Sequence, residues 1–158
     1  MIAVIIVVLA VASTVNIIDN EIKRRDSLIS FKESMDLTEL PVVTFYNGNT
    51  KLNFLLDTGS NYSYINSSII PLLDIKEINE ESTIIGIEGN AVTTNMCSMN
   101  IYYKKQSFDL EFCVINLDAA FDRIKQNDGV QIHGILGSKF FEKYKYILDF
   151  NRLIAYIE

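Results

Sequence analysis

The residues best suited to chemistry sit at the end of an apolar run. Phe54-Leu55-Leu56 leads directly into Asp57-Thr58-Gly59-Ser60. A buried-strand run that delivers a carboxylate into apolar surroundings leaves that group costly unless it finds a partner or takes up a proton. Alone, an Asp-Thr-Gly triplet reads as an Asx-type turn at a strand end, because Asp and Gly suit turns. Eighty residues later (137 − 57) comes Ile135-Leu136-Gly137, an apolar pair closed by a glycine that lets another backbone pass close by.

Other constellations are poorer. His133, Ser60 and an aspartate compose a nucleophilic triad on paper, but the Gly-x-Ser-x-Gly elbow is absent. His133 reads instead as a strand-end residue beside Gly134. Asp149 with Asp57 would make a glycosidase-like carboxylate pair, yet Asp149 is more simply a turn residue of the last hairpin. Cys97 and Cys113 are sixteen apart, which matches no zinc spacing, and one histidine builds no His-rich site. They read as small hydrophobes. No metal and no cofactor is expected.

The elements that must position Asp57 are short strands. Asn47-Gly48 between two alternating runs predicts a hairpin in which Val43 faces Leu52 and Phe45 faces Thr50. Asn66 with Ser67 and Ser68 is placed to cap a helical turn through Ile69 to Leu73. A strand, a turn at Gly86-Ile87-Glu88-Gly89 and a returning strand follow. Next comes a hairpin whose apolar faces require Ile101 opposite Phe108 and Cys97 opposite Phe112, with Cys97 and Cys113 on opposite faces and unbonded. Asp118 is expected to cap a helix carrying Phe121 and Ile124, stopped by Gly129. A helix from Ser138 to Lys143 and a hairpin opposing Tyr146, Leu148 and Phe150 to Leu153, Ala155 and Ile157 complete the chain.

The 158 residues are 49% hydrophobic and 22% charged, with net charge −6, so a packed core is feasible and disorder is excluded. The longest basic cluster is Lys23, Arg24 and Arg25, too little for a nucleic-acid groove. Residues 2–18 stand apart as an apolar segment interrupted only by Ser13, Thr14 and Asn16. As a helix they reach roughly 25 Å, just short of a hydrocarbon core of about 30 Å. A membrane anchor is expected, with the C-terminal side in the cytoplasm because the basic cluster follows it. The alternative is export by a signal peptide cleaved after Ala10-Val11-Ala12, at Ser13. Residues 19–38 read as a juxtamembrane linker in the form of a solvated surface helix.

Taken in order, these motifs are similar to those of the retropepsin-like aspartic proteases. The features are a strand ending in Leu55-Leu56-Asp57-Thr58-Gly59-Ser60, a Gly-bearing hairpin, then Gly134-Ile135-Leu136-Gly137 before Phe140-Phe141 and a closing Ile147-Leu148-Asp149-Phe150 hairpin. The resemblance covers residues 39–158. It implies a mostly β, closed-barrel monomer with one or two short helices, here preceded by an N-terminal hydrophobic helix. Asp57 then corresponds to the catalytic aspartate, Thr58 to the brace between two active-site loops, and Gly59 to their point of close approach. Gly86, Ile87, Glu88 and Gly89 fall at the substrate-covering flap tip. Ile135, Leu136 and Gly137 match the element packed beneath the catalytic loop.

One Asp-Thr-Gly per chain implies a homodimer, with a water activated between two Asp57 carboxylates to hydrolyse a protein or peptide substrate. Two departures from the retroviral pattern stand out. Ser60 replaces the usual alanine and is suited to bond the outer carboxylate oxygen, while Ser138 replaces an arginine whose ion pair steadies the retroviral dimer. The segment 116–130 is an insertion, suited to cover the cleft or contact a partner. The alternative function is a non-catalytic, membrane-tethered peptide-binding or dimerisation module of the same fold.

Overall fold

The computed structural model describes residues 2–85 and 91–157. Helix α1 (Ile2–Ser27) leads into β1 (Ile29–Ser30), α2 (Lys32–Thr38), β2 (Val42–Asn47) and β3 (Thr50–Leu56). Next come β4 (Ser63–Asn66), a 3₁₀ turn (Ser67–Leu72), β5 (Lys76–Ile85), β6 (Ala91–Tyr103) and β7 (Gln106–Ile115). The chain ends with α3 (Asp118–Asp128), β8 (Gly134–Leu136), α4 (Ser138–Tyr144), β9 (Tyr146–Asp149) and β10 (Ile154–Ile157).

Seven strands form one sheet in the order β2-β3-β8-β4-β7-β6-β5, and a Tyr46–Tyr102 bridge between β2 and β6 bends it into a ring. Alternating strands turn Phe45, Leu52, Phe54, Ile101, Phe108 and Phe112 inward, all with essentially no exposed surface. Each such burial contributes about 1.5–3 kcal/mol, which makes this aromatic interior the main source of stability. Phe140 of α4 plugs the same interior, edge-on to Phe45 and Phe108.

The architecture is more helical than the mostly β expectation of one or two short helices. Among the described residues four α-helices are present, so the fold is a mixed α/β arrangement around a ring-like sheet. Helix α1 does not stop at residue 18 but continues through charged Asp19, Glu21, Arg24, Arg25 and Asp26. Among the described residues no helix is long and apolar enough to cross a membrane. The expected anchor over residues 2–18 therefore gains no support here.

Nor is the segment 19–38 simply a solvated helix. Ser27, Ile29 and Phe31 are buried, and β1 pairs with β10 to make a second, three-stranded sheet β1-β10-β9. Alternation in Ile29-Ser30-Phe31 drives this, because two large apolar side chains point the same way into the core.

The β2–β3 hairpin forms with a register two residues from expectation. Phe45 faces Leu52, Val43 faces Phe54 and Asn47 faces Thr50. The turn is Gly48-Asn49, with Gly48 at φ 55°, in keeping with glycine at the first central position of a type II′ turn. Asn47 is a buried ladder residue whose amide donates to the carbonyls of Asp74 (3.0 Å) and Asn100 (2.9 Å). Those long-range bonds outweigh its turn preference.

Elsewhere the expected pairings hold. Ile101 opposes Phe108, Cys97 opposes Phe112, and both thiols are free and buried. Burial lifts the Cys97 thiol to about 11, which keeps it protonated and inert. Leu148 faces Ala155 and Tyr146 faces Ile157 in the last hairpin.

Neither expected side-chain cap forms. Asn66 instead donates to Asp118 Oδ1 at 2.8 Å and accepts from Leu117 N at 3.0 Å, tying the start of α3 to β4. Phe121 of α3 buries against Val42 and Ile132 in a smaller core on the outer side of the ring. The apolar face of the 116–130 insertion is spent on that core.

Candidate active site

Asp57 follows the last residue of β3, where Leu56 has paired in parallel with Leu136 of β8. Its amide donates to the Leu136 carbonyl at 3.0 Å, so the backbone is fixed up to the residue that bears the carboxylate. The chain then turns. Gly59 N–H donates to Asp57 Oδ1 at 2.9 Å, and the Ser60 hydroxyl donates to Asp57 Oδ2 at 2.6 Å. Each oxygen therefore has one donor, and the carboxyl plane is set by two bonds from its own turn. A Cβ on Gly59 would stand 3.2 Å from Oδ1, so glycine leaves that oxygen approachable.

The turn is clamped from below by a segment distant in sequence. Strand β8 lies between β3 and β4, parallel to one and antiparallel to the other. Leu136 is fully buried and Ile135 half-buried, so the pair anchors the loop in the core. Gly137 then runs beneath the turn so closely that a Cβ would meet Tyr62 O at 2.2 Å and Ser60 O at 2.8 Å. Ser63 Oγ accepts from Gly137 N at 3.2 Å, and Ser138 N donates to Ser60 O at 2.7 Å. Where the retroviral pattern has an arginine, this chain uses backbone bonds around Ser138, and Lys139 N adds one to Asn61 O at 3.3 Å.

Asp57 itself is half-buried, and Thr58 and Gly59 are exposed. Among the described residues Asp57 makes no ion pair and the Thr58 hydroxyl has no hydrogen-bond partner. A half-buried carboxylate oriented by two donors and without an ion-pair partner among the described residues is equipped to hold or polarise a water. Tyr64 stands nearby. Its hydroxyl is pushed above the usual range by burial first, then by Cys113, Tyr62 and Asp57.

The other candidates have structural duties. His133 Nδ1 accepts from Asn53 N at 2.9 Å, its own amide donates to Asn53 O, and burial lowers its imidazole. Asp149 accepts from Arg152 N at 3.0 Å in the last hairpin, with the Arg152 guanidinium 3.9 Å away. Gly86, Ile87, Glu88 and Gly89, expected at a flap tip, lie outside the described residues, between paired Ile85 and Ala91. Among the described residues no cluster of three or more His, Cys, Asp or Glu side chains is arranged to hold a metal.

A family model described as aspartyl protease matches residues 42–140, from the first strand of the ring to the helix that plugs it. This chain belongs to the aspartyl protease family. A comparison with curated proteins found no match. Within the matched span of this aspartyl protease family member lie both Asp57 and the supporting Ile135, Leu136 and Gly137. Sequence reasoning missed Ser63 and Asn61 as supports of that loop. The signal for Ser63 was a lone small hydroxyl at the head of the buried Ser63–Asn66 strand, where an unpartnered polar group is costly.

Proposed function

We propose that this chain is an aspartic endopeptidase whose active site forms between two copies, each contributing Asp57. The observation that carries the reading is the Asp57 carboxylate, held by Gly59 N–H and the Ser60 hydroxyl on a turn clamped by Gly137. Two such carboxylates a few ångströms apart do not both ionise at modest cost, so one keeps a proton. The ionised member takes a proton from the water between them, and the neutral member donates to the scissile carbonyl. Exposed Thr58 and Gly59 are suited to meet the same loop of a second copy.

The unburied apolar residues of α1, among them Val11, Val15, Ile18 and Ile22, support a second part of the reading. That helix holds the domain at a lipid surface, with the domain on the cytoplasmic side. Co-sedimentation of the full-length protein with lipid vesicles is expected. A mature N-terminus at Ser13 in released protein would favour export instead.

The deciding experiment measures peptide hydrolysis by full-length protein and by Asp57→Asn across a concentration series. Wild-type specific activity should fall on dilution as the pair dissociates, and excess Asp57→Asn should poison it. Full activity at monomer mass would overturn the shared dyad. Unchanged hydrolysis by Asp57→Asn would overturn the aspartic mechanism.

A further inference from the structure

The loop that carries Asp57 continues into a groove of about 520 Å³, walled on one side by Tyr62, Ser63 and α4 and on the other by the β5-β6-β7 face. Its floor is apolar, formed by Met96, Leu110 and Phe140. Its rim carries charges of both signs, but the two signs are not held alike. Lys139 Nζ rests 3.9 Å from the centre of the Tyr62 ring, and Lys143 Nζ donates to the Asp109 carbonyl at 2.6 Å. Neither ammonium has a carboxylate partner among the described residues, so both keep donors for a ligand. Glu77, Asp109 and Glu111, with Lys76 beside them, also line the groove; all four are exposed, and among the described residues none of these side chains has a hydrogen bond or ion pair to fix it.

A charge already fixed in place loses less freedom on binding than one that must be ordered. The two held cations stand on the wall contiguous with the catalytic loop, since Lys139 N also bonds Asn61 O just after Ser60. We infer that this groove is a specificity subsite for an acidic side chain of the substrate, some residues from the scissile bond, read by Lys139 and Lys143. The inference rests on the protease reading above and adds the substrate class to it.

The test uses full-length protein and a diverse peptide library whose cleavage products are sequenced. Wild type should enrich Asp and Glu at one fixed position relative to the cut by about fivefold, the scale of one partly exposed ion pair. Lys139→Gln should erase that enrichment, and Lys139→Glu should invert it towards Lys and Arg. For one matched Glu/Gln peptide pair, Lys139→Gln should raise KM for the Glu peptide alone and leave kcat unchanged. A merely structural role for Lys139 would lower turnover of both peptides equally, and that result would overturn the inference. So would wild-type cleavage without acidic enrichment. A second arm captures library peptides on full-length Asp57→Asn. Acidic peptides retained there, and lost with Asp57→Asn/Lys139→Gln, sustain the groove even if wild type cleaves nothing, in which case only the protease reading falls. No acidic retention in that case would overturn the groove as well.

Discussion

Two strand-end turns among the described residues begin with aspartate, and their surroundings differ. Asp57 closes β3 and Asp149 closes β9, and each accepts a backbone N–H from its own turn. Locally they are alike. Around Asp149 the remaining charge is met by Arg152 at 3.9 Å, in a hairpin whose tip is exposed. Among the described residues no cation pairs with Asp57, and the turn is seated on Gly137 and Ser138 from eighty residues away (137 − 57). A turn aspartate becomes a candidate catalyst when distant chain holds its backbone and nothing neutralises its charge.

The sharpest way to break this contrast is the same substitution at both sites. Asp57→Asn should cut kcat at least about 1,000-fold with little change in fold, on the scale of lost acid–base catalysis. Asp149→Asn should leave turnover within about twofold and thermal stability within about 0.5 kcal/mol, because an exposed pair contributes little. Equal effects on activity would erase the distinction. Next in size, Gly137→Ala pushes a Cβ into the Tyr62 carbonyl, and unfolding in urea should reveal a loss of about 3 kcal/mol.

Smaller is the expected effect of Ser60→Ala. It removes the hydroxyl from Asp57 Oδ2 and should lower kcat roughly tenfold, while urea stability changes by less than about 1 kcal/mol. Smallest is a stability effect at His133. Its pKa is lowered in the fold by burial from an ordinary 6.5, so below that value the unfolded chain binds the proton that the folded chain resists. Stability should therefore be full above about pH 6.5, decline as pH falls from there towards the lowered value, and level off below it. His133→Gln should flatten that segment of the melting-temperature profile.

Much of this was legible in residues taken a few at a time. The β6–β7 register follows from apolar alternation, since a one-residue slip would turn Phe108 and Phe112 outward. The β2–β3 register was misread because Asn47 and Gly48 form a good local turn, whereas Asn47 is claimed by Asp74 and Asn100 far along the chain. The pairing of β1 with β10 spans some 125 residues and is two residues long, too short to leave a periodic signature. At the site, the Asp57 triplet and the Gly137 element were visible as separate motifs. Their stacking was not, because a pass so close that it leaves no room for a Cβ on Gly137 is a property of two backbones and not of either sequence alone.

The small sheet beside the ring joins the two ends of the described chain. Ser27 Oγ accepts from Ile157 N at 2.8 Å, Arg24 lies over Tyr156 at 4.4 Å, and Phe31 N donates to Leu153 O at 3.0 Å. This seam sets a trimming limit. A cut on the N-terminal side of Arg24 releases the apolar part of α1 and leaves the seam whole. A cut at residue 36 removes Ile29 and Phe31 from the core and strips β10 of its outer neighbour. Any processing event that frees a working domain from its helix is thereby confined to the first two dozen residues.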